Sequence, residues 1–439
     1  MNKTIPESLG FPILGHLFSY KKDRLKMLLD ESRKYDGIFK IKVGPKKLIV
    51  ISEASYNEHV LQKNSENYIK KSNAKIVFGK GILMSNGEEW KTQRSLIQPL
   101  LSPKYFSDIF VDMKDITKNN IEQFVQVSNN GVNLKNLFSK ITFDIILKTM
   151  IGLNCYDRFY EIDEAISVVT DFISNDKYSF IKLPEALDSN KKKFNKSMKL
   201  IRDIIEEGIE NAQSSNPRAF INILKKAVED NNQISHKKEF IRDNIFNLLF
   251  AGYDTSSLTL AWYAYEISQS PVWQQRCREE VRNIDFDTVT IKELREKLIF
   301  NNACINEAMR LYPPGWAFTR VAIGDDDIEG HKIKKEDIIL CTPFLSQRKE
   351  DRWERPHNFY PEHFLGEKGK DINRFQFFPF GAGPRMCSGM QMGFLQIRII
   401  ITYLLQNYSI ELVGDHPQMD ARVTLYSKNK YQLKLVKIS

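Results

Sequence analysis

Cysteine is scarce in this 439-residue chain, and its pattern argues against disulfide bonds. No Cys-X-X-Cys pair occurs, and no secretory signal peptide precedes the cysteines. An odd number of widely separated cysteines is typical of a reducing compartment and excludes a disulfide framework. We therefore expect a cytoplasmic protein with free thiols. The five cysteines are Cys155, Cys277, Cys304, Cys341 and Cys387.

An unbroken apolar run that could cross a bilayer is also lacking. The apolar N-terminal stretch is interrupted by two glycines, a proline and a histidine within residues 10–16, and it is too short for a membrane span. Residues 244–267 are longer and largely apolar, but Asp254 and polar neighbours lie at their centre. This pattern favours a helix buried inside a protein, and we expect no membrane anchor.

Negative charge is in shorter supply than positive charge, and the chain carries a net charge of +9. No nucleic-acid-binding motif accompanies this charge, and the lysines are spread along the chain. The densest cluster, residues 191–199, is explained by a solvated helix face. The excess of positive charge therefore indicates an acidic protein partner rather than nucleic acid.

The periodicity of apolar residues predicts a mainly α-helical chain. IFKIKV (38–43) and KLIVIS (47–52) flank Gly44-Pro45 and predict a β-hairpin. Helical periodicity dominates from about residue 55 to residue 312. Residues 319–343 then predict short strands with turns, and a helix follows from about Met390 to Tyr408.

Apolar segments that close the chain predict further strands. No internal repeat, low-complexity linker or clean domain boundary is found. We therefore expect a single domain over residues 1–439, mainly α, with a small β portion from 38–52, 319–343 and the C-terminal strands.

A lone cysteine, Cys387, lies in a glycine-rich loop just before the predicted C-terminal helix. A zinc site would need three or four ligands, and an iron–sulfur cluster would need four cysteines. A haem group brings four porphyrin nitrogens of its own, so a single thiolate suffices. The start of a helix favours a thiolate over a thiol.

The residues next to Cys387 in the sequence also suit the binding of a haem group. Gly383 and Gly389 allow close backbone approach or a positive φ angle. Arg385 can hold a porphyrin propionate by charge-assisted bonds, and Phe380 can shield the sulfur from water. The alternative, a buried cysteine in an ordinary glycine-rich turn, leaves these residues unexplained.

The string F-x-x-G-x-R-x-C-x-G, formed by Phe380, Gly383, Arg385, Cys387 and Gly389, resembles the haem-binding loop of the cytochrome P-450 superfamily. This resemblance implies haem b (iron protoporphyrin IX) as the cofactor, with Cys387 as the axial ligand of the iron. The thiolate would make the iron electron-rich and favour cleavage of dioxygen.

A second motif, AGYDTSS at 251–257, puts a glycine and several polar residues into the middle of an apolar helix. Glycine costs about 1 kcal/mol in a helix interior, and the polar side chains compete for backbone bonds, so we expect a break or bend. Ala251, Gly252, Asp254 and Thr255 resemble the family's A/G-G-x-D/E-T motif, although Ser256 replaces a frequent second threonine. The resemblance implies that Thr255 and Asp254 deliver protons. A kinked core helix is the alternative.

Further matches follow the order of the family's motifs. Glu307 and Arg310, just before Pro313-Pro314, resemble the buried ExxR pair, and His363 occupies the position where the family usually has a second arginine. Trp90 and Arg94 resemble the WxxxR motif, and Arg320 matches another propionate-binding arginine. Taken alone, each match is explained as well by an ordinary amphipathic helix or a surface ion pair.

The resemblance spans nearly the whole chain and implies a triangular, mainly helical fold with haem between the helices of Asp254 and Cys387. The residues of the WxxxR and RLYPP motifs resemble those of the fatty-acid and microsomal branch. We expect a soluble, bacterial-style member of the family. It implies a monooxygenase that takes electrons from a separate ferredoxin or flavodoxin with its reductase. We expect an acidic donor to dock near Lys91, Lys368, Lys370 or Arg374.

The resemblance implies an apolar, aromatic substrate pocket. Such a pocket suits a fatty acid, a terpenoid or an aromatic natural product of secondary metabolism. Its expected lining includes Ala251 and is completed by Ile76–Phe78, Met84, Phe172, Phe180, Trp316, Phe318, Leu425 and Tyr426. Two other functions remain open, a haem-thiolate enzyme that uses peroxide or couples phenols, and a non-catalytic haem sensor or carrier.

Overall fold

The computed structural model describes residues 3–72, 74–127, 134–153, 158–174, 188–429 and 431–438. Contacts divide the chain into two compact units. The first unit comprises Met1–Lys71, Ile299–Cys387 and His416–Lys430, and the second comprises Ser72–Leu298, Ser388–Asp415 and Tyr431–Ser439. The prediction of a mainly α fold with a small β portion is confirmed. The prediction of a single domain stays a prediction.

The first unit contains most of the strands, numbered here in chain order over both units. Its strands are β1 (Ile38–Val43), β2 (Lys46–Ile51), β3 (Tyr68–Ile69), β4 (Phe318–Ala322), β5 (Asp326–Ile328), β6 (His331–Ile333), β7 (Ile338–Cys341), β9 (Met419–Ala421) and β10 (Leu425–Ser427). Its α-helices are α1 (Leu17–Ser32), α2 (Ala54–Glu58), α13 (Ile299–Leu311), α14 (Pro343–Ser346) and α15 (Gly366–Lys370).

A five-stranded sheet in the order β1-β2-β7-β4-β3 forms the centre of this unit. The predicted hairpin pairs β1 with β2 antiparallel, and Gly44 has a φ of +60° in the tight turn between them. Both faces of the sheet are buried, since Phe39 packs into one apolar cluster and Ile38 into another. Burial on both sides agrees with the consecutive apolar residues at 48–51 of β2 and at Ile38-Phe39 of β1.

The second unit is mostly helical. Its α-helices are α3 (Lys75–Phe78), α4 (Gly87–Leu100), α5 (Pro103–Val127), α6 (Leu134–Ile146), α7 (Phe159–Ser174), α8 (Ser189–Ser215), α9 (Phe220–Glu229), α10 (Lys237–Ser268), α11 (Pro271–Arg282), α12 (Ile291–Lys297) and α16 (Met390–Asn407). Its strands β8 (Tyr408–Val413) and β11 (Gln432–Lys437) pair antiparallel. Within the described residues, no helix is long and apolar enough to span a membrane.

Helix α10 corrects one expectation. Residues 251–257 are helical throughout, so the motif does not break the helix. The Thr255 hydroxyl donates to the Ala251 carbonyl at 2.8 Å, so this polar side chain is satisfied inside the helix. Gly252 serves close packing, because a Cβ there would lie 2.7 Å from Cδ1 of Ile146 on α6.

Candidate functional site

The cysteine loop belongs to the first unit and is closed by backbone hydrogen bonds. The Cys387 N–H donates to the Phe380 carbonyl at 2.9 Å, and the Met386 N–H donates to the Gly383 carbonyl at 3.1 Å. The Cys387 side chain is exposed, whereas the other cysteines among the described residues are buried. The chain enters α16 at Met390, three residues later. The loop therefore exposes the Cys387 thiol, and its role as a haem ligand stays a prediction.

The glycines of the loop differ in what they require. Gly383 has a φ of +69°, and a Cβ there would lie 1.9 Å from the Leu61 carbonyl oxygen, so no other residue fits without a shift. Gly381 also has a positive φ, of +71°. Gly389 directly precedes α16 with a φ of −89°, an angle open to any residue. A positive φ therefore explains Gly383 but not Gly389.

Two predicted propionate-binding arginines lie in the same unit and influence each other. Burial and, to a smaller extent, the positive charge of Arg320 together lower the pKa of Arg385 to about 10. Arg320 is itself buried, which lowers its pKa as well, and its Nη1 donates to the Thr319 carbonyl at 2.9 Å. Because two guanidinium groups repel each other in a poorly solvated site, this site suits an anionic ligand. The carboxylates of a haem group match that chemistry.

The Glu307–Arg310 pair is fully buried on one face of α13, with 0% exposure of both side chains. Nε and Nη2 of Arg310 donate to the two carboxylate oxygens of Glu307 at 2.8 and 2.7 Å. The remaining donors reach the carbonyls of Gln347, Pro356 and Asn358 at 2.7 to 3.0 Å. All five N–H groups of the guanidinium are thereby used.

The Glu307 carboxylate is equally well paired. Besides Arg310, it accepts from the Tyr360 N–H at 2.8 Å and from Nδ1 of His363 at 3.2 Å. Burial raises the pKa of Glu307, but the hydrogen bonds from Arg310 and His363 outweigh burial and hold the pKa below its usual value. The carboxylate is therefore charged at neutral pH.

His363 completes a buried triad, in the position where the family usually has arginine. Its Nδ1 faces the Glu307 carboxylate, and its Nε2 faces the Glu354 carbonyl. Each ring nitrogen of His363 therefore lies within hydrogen-bonding distance of an oxygen atom. The Trp353 ring packs edge-on against His363 with the ring centroids 5.2 Å apart.

Gln347 connects this triad to the cysteine loop, and sequence reasoning missed it. Its carbonyl accepts from Arg310, while its side-chain Nε2 donates to the carbonyls of Met309 and Arg310 at 3.0 Å each. Its Oε1 accepts from the Phe378 N–H at 3.1 Å, two residues before Phe380. Gln347 directly follows the short helix α14, and a single glutamine there has no distinctive pattern, so no sequence signal marked this role.

The second unit carries the predicted proton-delivery residues on α10. Asp254 is buried, and the Ser257 hydroxyl donates to its carbonyl at 2.9 Å. Thr255 is half-buried one turn after Ala251. Tyr253 donates through its hydroxyl to Asp163, and its own carbonyl accepts from the Thr142 hydroxyl at 3.1 Å. The next threonine along the helix, Thr259, repeats the bond of Thr255 by donating to the Thr255 carbonyl at 2.9 Å.

The predicted WxxxR residues lie on α4 of this unit. Trp90 is half-buried in the first turn of the helix, one turn before Arg94. Nη1 of Arg94 donates to the hydroxyl of Ser388, the residue that directly follows Cys387 in the chain. The structure thus brings this arginine into contact with the segment after the cysteine.

The expected pocket residues of the first unit belong to two apolar clusters. Trp316 and Leu425 share one buried cluster, and the Trp316 indole N–H donates to the Arg422 carbonyl at 2.9 Å. Phe318 is half-buried on the other cluster, 6.3 Å from Phe378 between ring centroids. The guanidinium of Arg422 lies over the half-buried Tyr426 ring at 5.5 Å. Contact with a substrate stays a prediction for all of them.

The expected pocket residues of the second unit lie on four segments of the described chain, which are α3, the turns that follow it, α7 and, for Ala251, α10. Phe78 is buried at the end of α3, and Met84 is half-buried in the turns that follow. Phe172 stacks on Phe194 with ring centroids 3.9 Å apart. Phe180 lies outside the described residues. A role in binding substrate again stays a prediction.

The basic residues expected to receive an electron donor are mostly paired locally. Lys91 contacts Glu88 at 3.0 Å, and Lys368 contacts Glu354 at 2.8 Å. Lys370 contacts Glu367 at 2.6 Å. Arg374 instead donates to the neutral side-chain amide of Gln62 at 2.6 Å, so this bond leaves its positive charge in place.

Comparisons with known proteins agree with these features. The sequence profile of the family described as Cytochrome P450 matches residues 5–435. Cytochrome P450 3A15 of Cavia porcellus is 26% identical over 430 residues, covering 92% of this chain and 85% of the relative. The chloroplastic carotene epsilon-monooxygenase of Arabidopsis thaliana is 26% identical over 440 residues, covering 91% and 80%.

A solved structure shares the fold. The retinoic acid bound cyanobacterial CYP120A1 superposes with a TM-score of 0.87 at 23% sequence identity, and the alignment covers 100% of both chains.

Proposed function

Because this chain belongs to the Cytochrome P450 family and is a haem-thiolate monooxygenase, we propose that it inserts one oxygen atom from dioxygen into a hydrophobic small molecule, with a terpenoid as the first choice. The single observation that carries the proposal is the exposed Cys387 thiol, three residues before α16 begins. Hydrogen bonds of Gln347 link its loop to the buried Glu307–Arg310 pair.

The chain's own residues suit haem b as the cofactor. Cys387 would ligate the iron, and Arg320 and Arg385 would bind propionates, with Trp90 and Arg94 as further propionate contacts. A Cys-X-X-Cys-His attachment motif is absent from the sequence, which supports a non-covalently bound haem. When bound, the haem supplies the activation of dioxygen and the transfer of oxygen to substrate.

Proton delivery is assigned to Asp254 and Thr255. Replacing Thr255 by alanine is expected to lower product formation about 100-fold, the scale of a lost proton-transfer group, while oxygen consumption continues and releases peroxide. Alanine is a good helix former, so α10 should remain intact. Product yield per molecule of oxygen consumed is the measurement.

The matched control for this prediction is Thr259→Ala, which removes the same intrahelical bond one turn further along. Thr259→Ala should keep the native product yield per molecule of oxygen consumed. Thr255→Ser should retain most of that yield because the hydroxyl remains. Equal yields from Thr255→Ala and the native enzyme would remove this role from Thr255. Full-rate turnover with hydrogen peroxide alone would favour the peroxide-using alternative.

We assign electron delivery to a separate acidic ferredoxin or flavodoxin with its reductase. The net charge of +9 supports an acidic partner. Cys277, Cys304 and Cys341 are buried and form no disulfide bonds, which supports a cytoplasmic location for this protein that cell fractionation would check.

Arg374 is the residue whose charge reversal should weaken donor docking most, because its guanidinium donates to the neutral side-chain amide of Gln62 rather than to a carboxylate. We expect Arg374→Glu to slow reduction by the donor several-fold at low salt, with the difference shrinking at high salt. Lys332→Glu, at an exposed lysine paired with Asp327, is the control. Stopped-flow reduction rates that ignore both salt and Arg374→Glu would contradict this docking site.

The terpenoid assignment rests on two similar proteins. One is named a carotene epsilon-monooxygenase, and the other binds retinoic acid in its solved structure, and both ligands are isoprenoids. We expect retinoic acid or a related isoprenoid to shift the spin state of the haem-loaded protein at micromolar concentrations. Long-chain fatty acids and indole serve as comparison ligands. A spin-state shift confined to the comparison ligands would reject the terpenoid class and leave the monooxygenase assignment in place.

A further inference from the structure

Three polar side chains at the start of α10 hold the backbone of residues 78–84 in the second unit. Asp243, Asn244 and Asn247 are these residues, and we refer to them as the α10 clamp. Asn247 is fully buried, with 0% exposure, and Asn244 is nearly so. Buried amides of this kind are costly unless every polar atom is paired, so their pairing partners indicate what they do.

The clamp bonds the 78–84 segment at four backbone positions. Asp243 accepts from the Lys80 N–H at 3.0 Å, and Asn244 accepts from the Ile82 N–H at 2.9 Å. Asn247 accepts from the Leu83 N–H at 2.9 Å and donates to the Phe78 carbonyl at 2.9 Å. Gln93 of α4 adds a fifth bond by donating to the Lys80 carbonyl at 2.6 Å.

Two glycines in the segment allow this close approach. A Cβ at Gly79 would lie 2.4 Å from the Asp243 carboxylate, and one at Gly81 would lie 2.4 Å from the Asn247 amide nitrogen. Gly79 also has a φ of +57°. Helix α10 and the 78–84 segment can therefore pack closely because Gly79 and Gly81 have no side chains, and the hydrogen bonds add to this contact.

The segment held in this way begins and ends with residues expected to line the substrate pocket. Phe78 packs edge-on against Phe250 of α10 with centroids 5.0 Å apart, and Met84 closes the segment. Phe250 directly precedes Ala251, and Thr255 follows Asn247 by eight residues on the same helix. A helix rises 1.5 Å per residue, so Asn247 lies about 12 Å along the axis from Thr255.

We propose that the α10 clamp is a specificity-determining device, in which Asn247 positions Phe78 and Met84 for substrate. The proposal rests on the proposed function, because it assigns those residues to the substrate pocket. Asn247 acts through the segment and is a positioning residue. Freeing the segment changes which substrates are accepted and leaves proton delivery at Thr255 unaltered.

The experiment compares Asn247→Leu, Asn247→Asp and the native holoenzyme. Leucine removes both bonds to the segment, whereas aspartate keeps an acceptor for Leu83 and loses the donor to Phe78. Hydrogen exchange of the Ile82 and Leu83 amides reports whether the segment is released. The ratio of kcat/KM for retinoic acid to that for palmitic acid should change about tenfold or more in Asn247→Leu. The change should lie mainly in KM, with product yield per oxygen unaltered.

Two glycine variants keep the test valid if Asn247→Leu fails to fold. Gly79→Ala and Gly87→Ala both place alanine at a φ near +57°, but a Cβ at Gly87 meets nothing within 4 Å. Gly79→Ala should therefore alter the substrate ratio, and Gly87→Ala should not. Leu294→Ala, a buried truncation on α12, is the control for general loss of stability.

The outcomes separate this proposal from the proposed function. Faster exchange at Ile82 and Leu83 with an unchanged substrate ratio would overturn the specificity role. Unchanged exchange in Asn247→Leu would overturn the clamp itself. If the native holoenzyme oxidises neither probe, the proposed substrate class fails, while the exchange measurement still tests the clamp.

Discussion

Replacing Cys387 by alanine is expected to abolish monooxygenation completely. Alanine offers no ligand to the iron, and the electron-rich character that a thiolate confers would be lost with the sulfur. The backbone bond from residue 387 to Phe380 does not involve the side chain, so the loop should persist. The measurement is product formation with reductant and dioxygen, together with the spectrum of the reduced carbon-monoxide complex, which should lose its thiolate-type red-shifted band.

A second substitution makes the same test sharper. Cys387→His should retain haem through an imidazole ligand, with no monooxygenation and a globin-like carbon-monoxide spectrum, because ligand identity rather than haem content decides the chemistry. Cys277→Ala is the matched control, since this buried cysteine lies on α11 and should leave both spectrum and turnover native. A native spectrum in Cys387→Ala would place the ligand elsewhere in the chain.

Local signals explain which parts of the fold could be predicted. The β1–β2 hairpin is encoded by two apolar runs around Gly44-Pro45, and α16 by an apolar helix that begins after a glycine. Spacing along one helix was equally informative, since it brought Glu307 and Arg310 to one face of α13. Such features are determined by residues close together in the sequence, so they can be predicted from the sequence alone.

Contacts between distant segments explain what was missed. Gln347 lies 37 residues from Arg310 and 31 from Phe378, and nothing in its surroundings marks it as the residue that joins them. Gly252 was interpreted as a helix defect because the side chain packed against it, Ile146, comes from another helix. The pairing of Asn247 with Phe78 spans 169 residues. Tertiary packing gave each of these residues its role.

The second large effect is expected from Glu307→Gln, which removes one charge and almost no volume. Arg310 would then be a buried guanidinium without its carboxylate, a change that costs about 3–5 kcal/mol of unfolding free energy. Urea unfolding of the haem-loaded protein measures this loss. The effect should also reach the cofactor, because the Arg310 contacts hold Gln347, which holds Phe378 before the cysteine loop.

The matched control is Glu161→Gln on α7. Glu161 pairs with Arg158 at the same spacing of three residues, at 3.1 Å, but its side chain is 55% exposed. An exposed pair contributes about 0.2–1 kcal/mol, so the same chemical change should be nearly neutral there. Arg310→Lys should be intermediate, because three ammonium donors cannot replace five guanidinium donors.

The pH dependence distinguishes loss of the charged pair from mere loss of packing. Because the hydrogen bonds from Arg310 and His363 hold the pKa of Glu307 below its usual value, the pair contributes its full stability above pH about 5. That contribution is lost as the pH falls through the lowered pKa of the folded protein. The difference in unfolding free energy between native protein and Glu307→Gln should therefore shrink on acidification. A difference that stays constant down to pH 3 would mean that the variant suffers from altered packing, and the buried ion pair would lose its assigned part in stability.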